Sequence, residues 1–153
     1  MSLFSSPSRR QSDIALAVLR IAVGAIFIAH GSQKLFTMGF GGVTGMFGHM
    51  GIPLAPVMGP VVALIEFFAG IALVLGLITR LAAFALACDM LGAMIFVHFK
   101  AGFFLPAGYE FPLSLFAANI ALIFAGAGSF SIDGFLANRG ARGAGSVSSP
   151  RPA

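Results

Sequence analysis

The hydrophobic pattern along this chain is one of long apolar runs, without the short alternations of a half-buried sheet. Four runs, residues 14–35, 55–78, 81–99 and 111–127, approach the roughly 20 apolar residues that a helix needs to cross a hydrocarbon core. The sequence therefore predicts an all-α integral membrane protein, a bundle of four transmembrane helices. The second and third runs are separated by little more than Thr79 and Arg80, a link short enough to force an antiparallel hairpin.

Between the first two runs, residues 36–54 are rich in glycine, and Val43, Met46, Phe47 and Met50 recur at i, i+3, i+4 and i+7. That spacing predicts a short helix with one apolar stripe, interfacial or re-entrant, ended by Gly51-Ile52-Pro53. Residues 100–110 carry Pro106 and Gly108 and read as a surface loop. The predicted organisation is an N-terminal segment over 1–13, a membrane domain over 14–134, and a disordered Gly/Ser/Arg/Pro tail over 135–153.

Composition agrees: 58% of the 153 residues are hydrophobic and 9% are charged, against roughly 25% charged in soluble domains. The net charge of +4 comes from scattered single residues, which form no stripe able to track phosphates, so no nucleic-acid partner is expected. Its meaning is topological. Arg9, Arg10, Arg80, Arg139, Arg142 and Arg151 fall on the side of the termini and only Lys34 and Lys100 on the other, so both termini are expected in the cytoplasm. Ser8-Arg9-Arg10-Gln11 resembles the basic start of an export signal. The run that follows is too long for a signal core and lacks a small-residue cleavage site, so it is read as a retained span. One cysteine, Cys88, excludes an internal disulfide and dithiol exchange.

Arg20, Glu66 and Asp89 lie inside the first three runs, where each charge costs roughly 2.5–3.5 kcal/mol near the centre on insertion scales. A rise of 1.5 Å per residue places Arg20 about 9 Å and Asp89 about 12 Å deep from the terminal face. Their similar depth lets them neutralise one another, provided that the first and third runs are neighbours. Glu66, about 18 Å deep, is matched by Asn119 on the fourth run. Gly59, Ala63 and Gly70 share the Glu66 face, a small-residue stripe that admits close helix contact, and Asp89 sits likewise among Ala82, Ala85 and Ala93. Both acids are expected to face the bundle interior. Arg20, Glu66 and Asp89 either neutralise one another structurally or bind a proton, a polar solute or a quinone headgroup, with Asn119 a further candidate for that polar site.

His30 and His98 lie nearer the opposite face and invite a haem reading. On an α-helical wheel His98 is about 180° from Asp89 and should point away from the interior. No haem or metal is therefore expected, and His49 in the short helix is given no chemistry.

The ordered features Arg20, His30-Gly31, Lys34, Gly51-Ile52-Pro53, Glu66, Gly70, Gly76, Thr79-Arg80, Asp89, Gly108-Tyr109-Glu110, Gly126, Gly128, Ser131 and Asp133 together resemble the DoxX family of small four-span bacterial membrane proteins. The resemblance implies a bacterial plasma-membrane protein linked to thiol, sulfur or quinone redox metabolism; its residues His30, Lys34, Tyr109 and Glu110, together with His98 from the pair of histidines, are secondary site candidates. It supplies no agreed catalytic residue. It admits a bound quinone, a redox partner protein and self-association. A small-solute or proton-coupled transporter and a non-catalytic assembly factor are the competing readings.

Overall fold

The computed structural model describes residues 6–144. Helix α1, Arg9–Ser32, starts at Ser8, whose hydroxyl accepts the Gln11 amide while Gln11 answers with its own side chain, a reciprocal cap that satisfies two orphan donors. The helix continues through a π-helical stretch, Gln33–Met38, into α2, Gly39–His49, which leaves the α1 direction at Gly39. Helix α3 is Ala55–Leu75, α4 is Thr79–Ala93 followed by a second π-helical stretch, Met94–His98, and α5 is Glu110–Ala125. Three helical segments, Arg9–His49, Ala55–Leu75 and Thr79–Ala101, are long and apolar enough to cross a membrane. At 16 residues α5 is shorter, about 24 Å, and glycine turns extend it at the terminal end.

Packing runs in a ring: α1 lies along α3, α3 along α4, α4 along α5, and α5 returns to α1. Helices α1 and α4 are thus diagonal. The α1–α3 contact is close because both sides are small. A Cβ added at Gly24 would stand 2.7 Å from the Gly70 carbonyl oxygen, and one at Gly31 would stand 2.5 Å from the Phe67 nitrogen. The stripe expected on α3 is therefore a contact surface, with Gly59 meeting α2 and Gly70 meeting α1. Val43, Phe47 and Ala55 form a small separate core that holds α2 against α3.

The main core, Val23, Leu73, Ala82, Ala83, Leu86 and Leu122 among others, is concentrated in the half nearer the termini. Exposed apolar side chains such as Val18, Phe68, Phe84 and Phe124 cover the outside. At the terminal face the α3–α4 hairpin turns through Gly76 at φ +65°. The Leu77 and Gly76 amides return to the Ala72 and Leu73 carbonyls, the glycine cap that closes many helices.

The first part of the segment expected to be disordered is helical. Helix α6, Ile132–Ala144, occupies its first part. Ser131 caps it, its hydroxyl accepting the Gly134 amide at 3.0 Å, and such a local cap is enough to start a helix that composition alone does not announce. Residues 145–153 lie outside the described residues.

Candidate functional site

The intramembrane charges separate into two groups at different depths. Arg20 is 3% exposed and donates to the Leu73 carbonyl at 3.0 Å, to the Val74 carbonyl at 2.5 Å and to the Phe130 carbonyl. The first two belong to the last turn of α3, where carbonyls run out of helical partners; Leu73 also accepts the Gly76 amide. A guanidinium there satisfies them and also complements the negative end of the helix dipole. Asp133 also acts on Arg20 electrostatically, and its carboxylate accepts the Ile78 and Thr79 amides at 2.8 and 2.9 Å, capping α4 from across the chain. Asp13 accepts the Ser129 amide at 2.9 Å.

The expected Arg20–Asp89 pair does not form. Equal depth was the basis for it, but α1 and α4 are diagonal in the ring, and Arg20 turns instead to the neighbouring end of α3.

Asp89 belongs to the second group. Lys34, in the π-helical continuation of α1, makes a 2.5 Å ion pair with Glu66 of α3, and Glu66 is 3% exposed. The Asp89 carboxyl stands in hydrogen-bond contact with Glu66 and within the field of Lys34. Asp89 Oδ2 is buried and no N–H or hydroxyl reaches it. One ammonium thus faces two carboxyls. The cluster is electrically neutral when a single proton lies between the acids, and that proton supplies the donor Oδ2 lacks.

These three residues line a cavity of about 450 Å³, within the range of small-molecule sites. Its walls are mostly apolar, from Phe27, Phe47, Met90 and Leu115, and its exposed lining residues include Leu54, Met58 and Val61 at the start of α3 and Phe96 in the π-helical stretch after α4. Cys88 also lines the cavity.

His30 and His98 line it as well. The placement of His98 corrects the helical-wheel expectation. A wheel at 3.6 residues per turn carries Asp89 and His98 to opposite faces, but the π-helical stretch Met94–His98 uses more residues per turn and rotates His98 back toward the Asp89 side.

The remaining candidates lie elsewhere. Asn119 is 0% exposed; its amide donates to Leu115 of its own helix at 2.9 Å while Oδ1 has no partner, and it does not line the cavity. Tyr109 sits edge-on to Phe99 and Phe103, with ring centroids 5.0 and 5.2 Å away. Glu110 accepts the Leu105 amide at 2.7 Å. Both shape the loop that follows α4. Among the described residues no three His, Cys, Asp or Glu side chains converge as metal ligands.

Sequence reasoning ranked Lys34 too low and passed over Asp133 and Cys88. For Lys34 a signal existed: it follows His30 by one helical turn, at i+4, so it shares the His30 face if the helix simply continues past residue 35.

Comparison with known proteins supplies the remaining observations. The DoxX family model matches residues 15–99. A Bacillus subtilis (strain 168) protein named "Putative oxidoreductase CatD" is 34% identical over 110 residues, which is 72% of this chain and 79% of the relative. An uncharacterized Haemophilus influenzae protein is 38% identical over 122 residues, 77% of this chain and 87% of the relative. The uncharacterized membrane protein Rv3486 of Mycobacterium tuberculosis is 32% identical over 132 residues, 79% of this chain and 80% of the relative. No solved structure matches the chain significantly.

Proposed function

The chain belongs to the DoxX family, and from that premise we propose that it is a multi-pass component of a bacterial plasma-membrane redox system whose cavity receives the headgroup of a membrane-soluble quinone. The observation that carries this reading is the Lys34–Glu66–Asp89 cluster in the wall of a largely apolar cavity that has exposed lining residues on both α3 and α4. A relative named as an oxidoreductase gives the redox assignment its second support.

The residues present suit such a group. A largely apolar cavity with exposed lining residues accepts a flat ring and its hydrocarbon tail from the bilayer, and few polar groups are needed to fix orientation. The Lys34 ammonium is a donor for a carbonyl oxygen. The proton between Glu66 and Asp89 is the one the protein itself can give or take. Phe27, Phe47 and Leu115 keep water from the cluster, which strengthens each electrostatic contact. A bound quinone would supply the electron-carrying chemistry that the chain's single cysteine cannot provide. Electrons then pass to or from a partner protein, and both termini face the cytoplasm, where the arginine-rich face lies. A periplasm-dependent reporter fused at Phe104 should be active and one fused after Asn138 inactive.

The direct test is organic extraction of the full chain purified from its native membrane in mild detergent. Near-stoichiometric quinone is expected, together with protection of Cys88 from maleimide by an added short-chain quinone. Gly92 lines the cavity and has open space beyond its Cα, so Gly92→Phe should fill the site and abolish both effects. A quinone-free extract combined with an unprotected Cys88 would remove the proposal. Mass spectrometry of the same preparation identifies any partner, and cross-linking reports self-association.

A further inference from the structure

The cavity is asymmetric along the membrane normal. Toward the termini it ends on the tightly packed core of Val23, Leu73, Ala83, Leu86 and Leu122, behind which Arg20 ties α3 to the Phe130 turn. Apart from Cys88, no ionisable side chain lines the cavity on that side. Toward the opposite face the wall carries His98 from the π-helical end of α4, and His30 of α1 joins it level with Glu66.

Both imidazoles are held in the same way. Nδ1 of His98 donates to the Ala107 carbonyl at 2.7 Å and Nδ1 of His30 donates to the Ile26 carbonyl at 3.0 Å. A carbonyl only accepts, so the hydrogen sits on Nδ1 in each ring and Nε2 is left as the acceptor. His98 is half-buried and bonded into the loop beyond α4 at Ala107, so it stands between the buried cluster and the face opposite the termini, whereas the exposed His30, next to Gly31 where α1 packs on Phe67, stands level with Glu66. The other ionisable groups on the cavity wall are Lys34 from α1, Glu66 from α3, and Cys88 and Asp89 from α4. Helices α2 and α5 contribute apolar side chains there.

We propose that His98 and His30 form a one-sided proton port, through which the Lys34–Glu66–Asp89 cluster exchanges its proton with the face opposite the termini. This inference rests on the proton-bearing role proposed above. In the outward direction the carboxyl O–H bond breaks and the proton passes to imidazole Nε2. The resulting imidazolium keeps its Nδ1–H on the backbone carbonyl and releases the Nε2 proton to water. The inward direction is the reverse, and no electron moves in either.

The test is infrared spectroscopy of the full chain in lipid nanodiscs without added quinone. It follows hydrogen–deuterium exchange of the protonated carboxyl band, which is assigned by its loss in Asp89→Asn and Glu66→Gln. Removing both rings, His30→Gln with His98→Gln, is expected to slow exchange about tenfold or more, as loss of a positioned acid–base group does, while band position and thermal midpoint stay unchanged. Should that pair fail to fold, His98→Gly with free imidazole is the second arm, and added imidazole should restore the rate. A band that exchanges at the wild-type rate without the rings overturns the port and leaves the quinone reading standing. Absence of the band in the wild-type chain overturns the port and the proton-bearing role together, whereas failure of the quinone reading alone shows in the extraction experiment.

Discussion

Arg20 and Lys34 lie on nearly the same face of one continuous helix, about four turns or roughly 21 Å apart, and the bundle uses them in opposite ways. Arg20 has only backbone carbonyls for hydrogen-bond partners, and around it Asp133 and Asp13 likewise bind backbone amides. Each side chain there closes a helix end or a turn, and the whole forms a rigid clasp. Lys34 faces side chains that titrate, beside open volume. A charge bound to backbone dipoles fixes architecture, because those dipoles never change their protonation. A charge bound to another ionisable group leaves a proton free to move, so depth in the membrane says less about role than the kind of partner does.

The largest effect separating the two regions should come from breaking the Lys34–Glu66 pair. Lys34→Met strands the buried carboxyls without their cation and should cost about 3–5 kcal/mol, and Glu66→Leu should cost somewhat less because Asp89 remains within the field of Lys34. The double change should cost less than either single one, giving a coupling well above the roughly 0.5 kcal/mol seen between independent sites. Thermal unfolding in one detergent measures all three variants. Additive losses would show that the pair is not the unit described.

Arg20→Met should come next, at about 2–3 kcal/mol, since hydrogen bonds from a charged donor contribute about 1.5–3 kcal/mol each and the freed carbonyls reach water only in part. Combined with Asp89→Leu, its loss should add within about 0.5 kcal/mol. A strong non-additive term between these two would revive the pairing that depth alone suggested and would contradict the diagonal placement of α1 and α4. Asp133→Ala should cost about 1–2 kcal/mol, the usual range for loss of a helix cap. Its signature is local: amide exchange should rise at Ile78 and Thr79 while the amides around Glu66 keep their protection.

What could be read from the chain follows the same division. Hydropathy located the apolar runs because each must match a bilayer of fixed thickness, and the Gly59-Ala63-Gly70 stripe pointed to close contact because backbone approach needs small side chains. Depth along a helix was legible for the same reason. Which helices touch was not: Arg20 and Asp89 match in depth, but nothing in either run tells a neighbour from a diagonal. The face of His98 was lost because a wheel assumes one period, and the π-helical stretch at Met94–His98 breaks it. Lys34 read as a charge at the outer end of the first run because the apolar run ends at residue 35 while the helix does not. Asp133 was opaque because its partners, the Ile78 and Thr79 amides, lie more than fifty residues away.

The smallest expected effect belongs to Asn119, the polar residue that falls in neither region. Its depth matches Glu66, which made it a candidate for the same site, yet it lines no part of the cavity. Its amide bonds only to Leu115 on its own helix, and its Oδ1 is buried without a donor. Replacing a polar group that is already half-unsatisfied removes as much desolvation cost as hydrogen bonding. Leucine has nearly the same volume and suits a core that already holds Leu122 and Leu115. Asn119→Leu should therefore change stability by no more than about 0.5 kcal/mol, with a gain as acceptable as a loss. Quinone content and carboxyl exchange should match the wild-type chain. A loss of either with stability unchanged would place Asn119 in the working site and redraw its boundary across α5, whereas a loss above about 2 kcal/mol would mean that Oδ1 has a partner, most simply a buried water joining α5 to its neighbours.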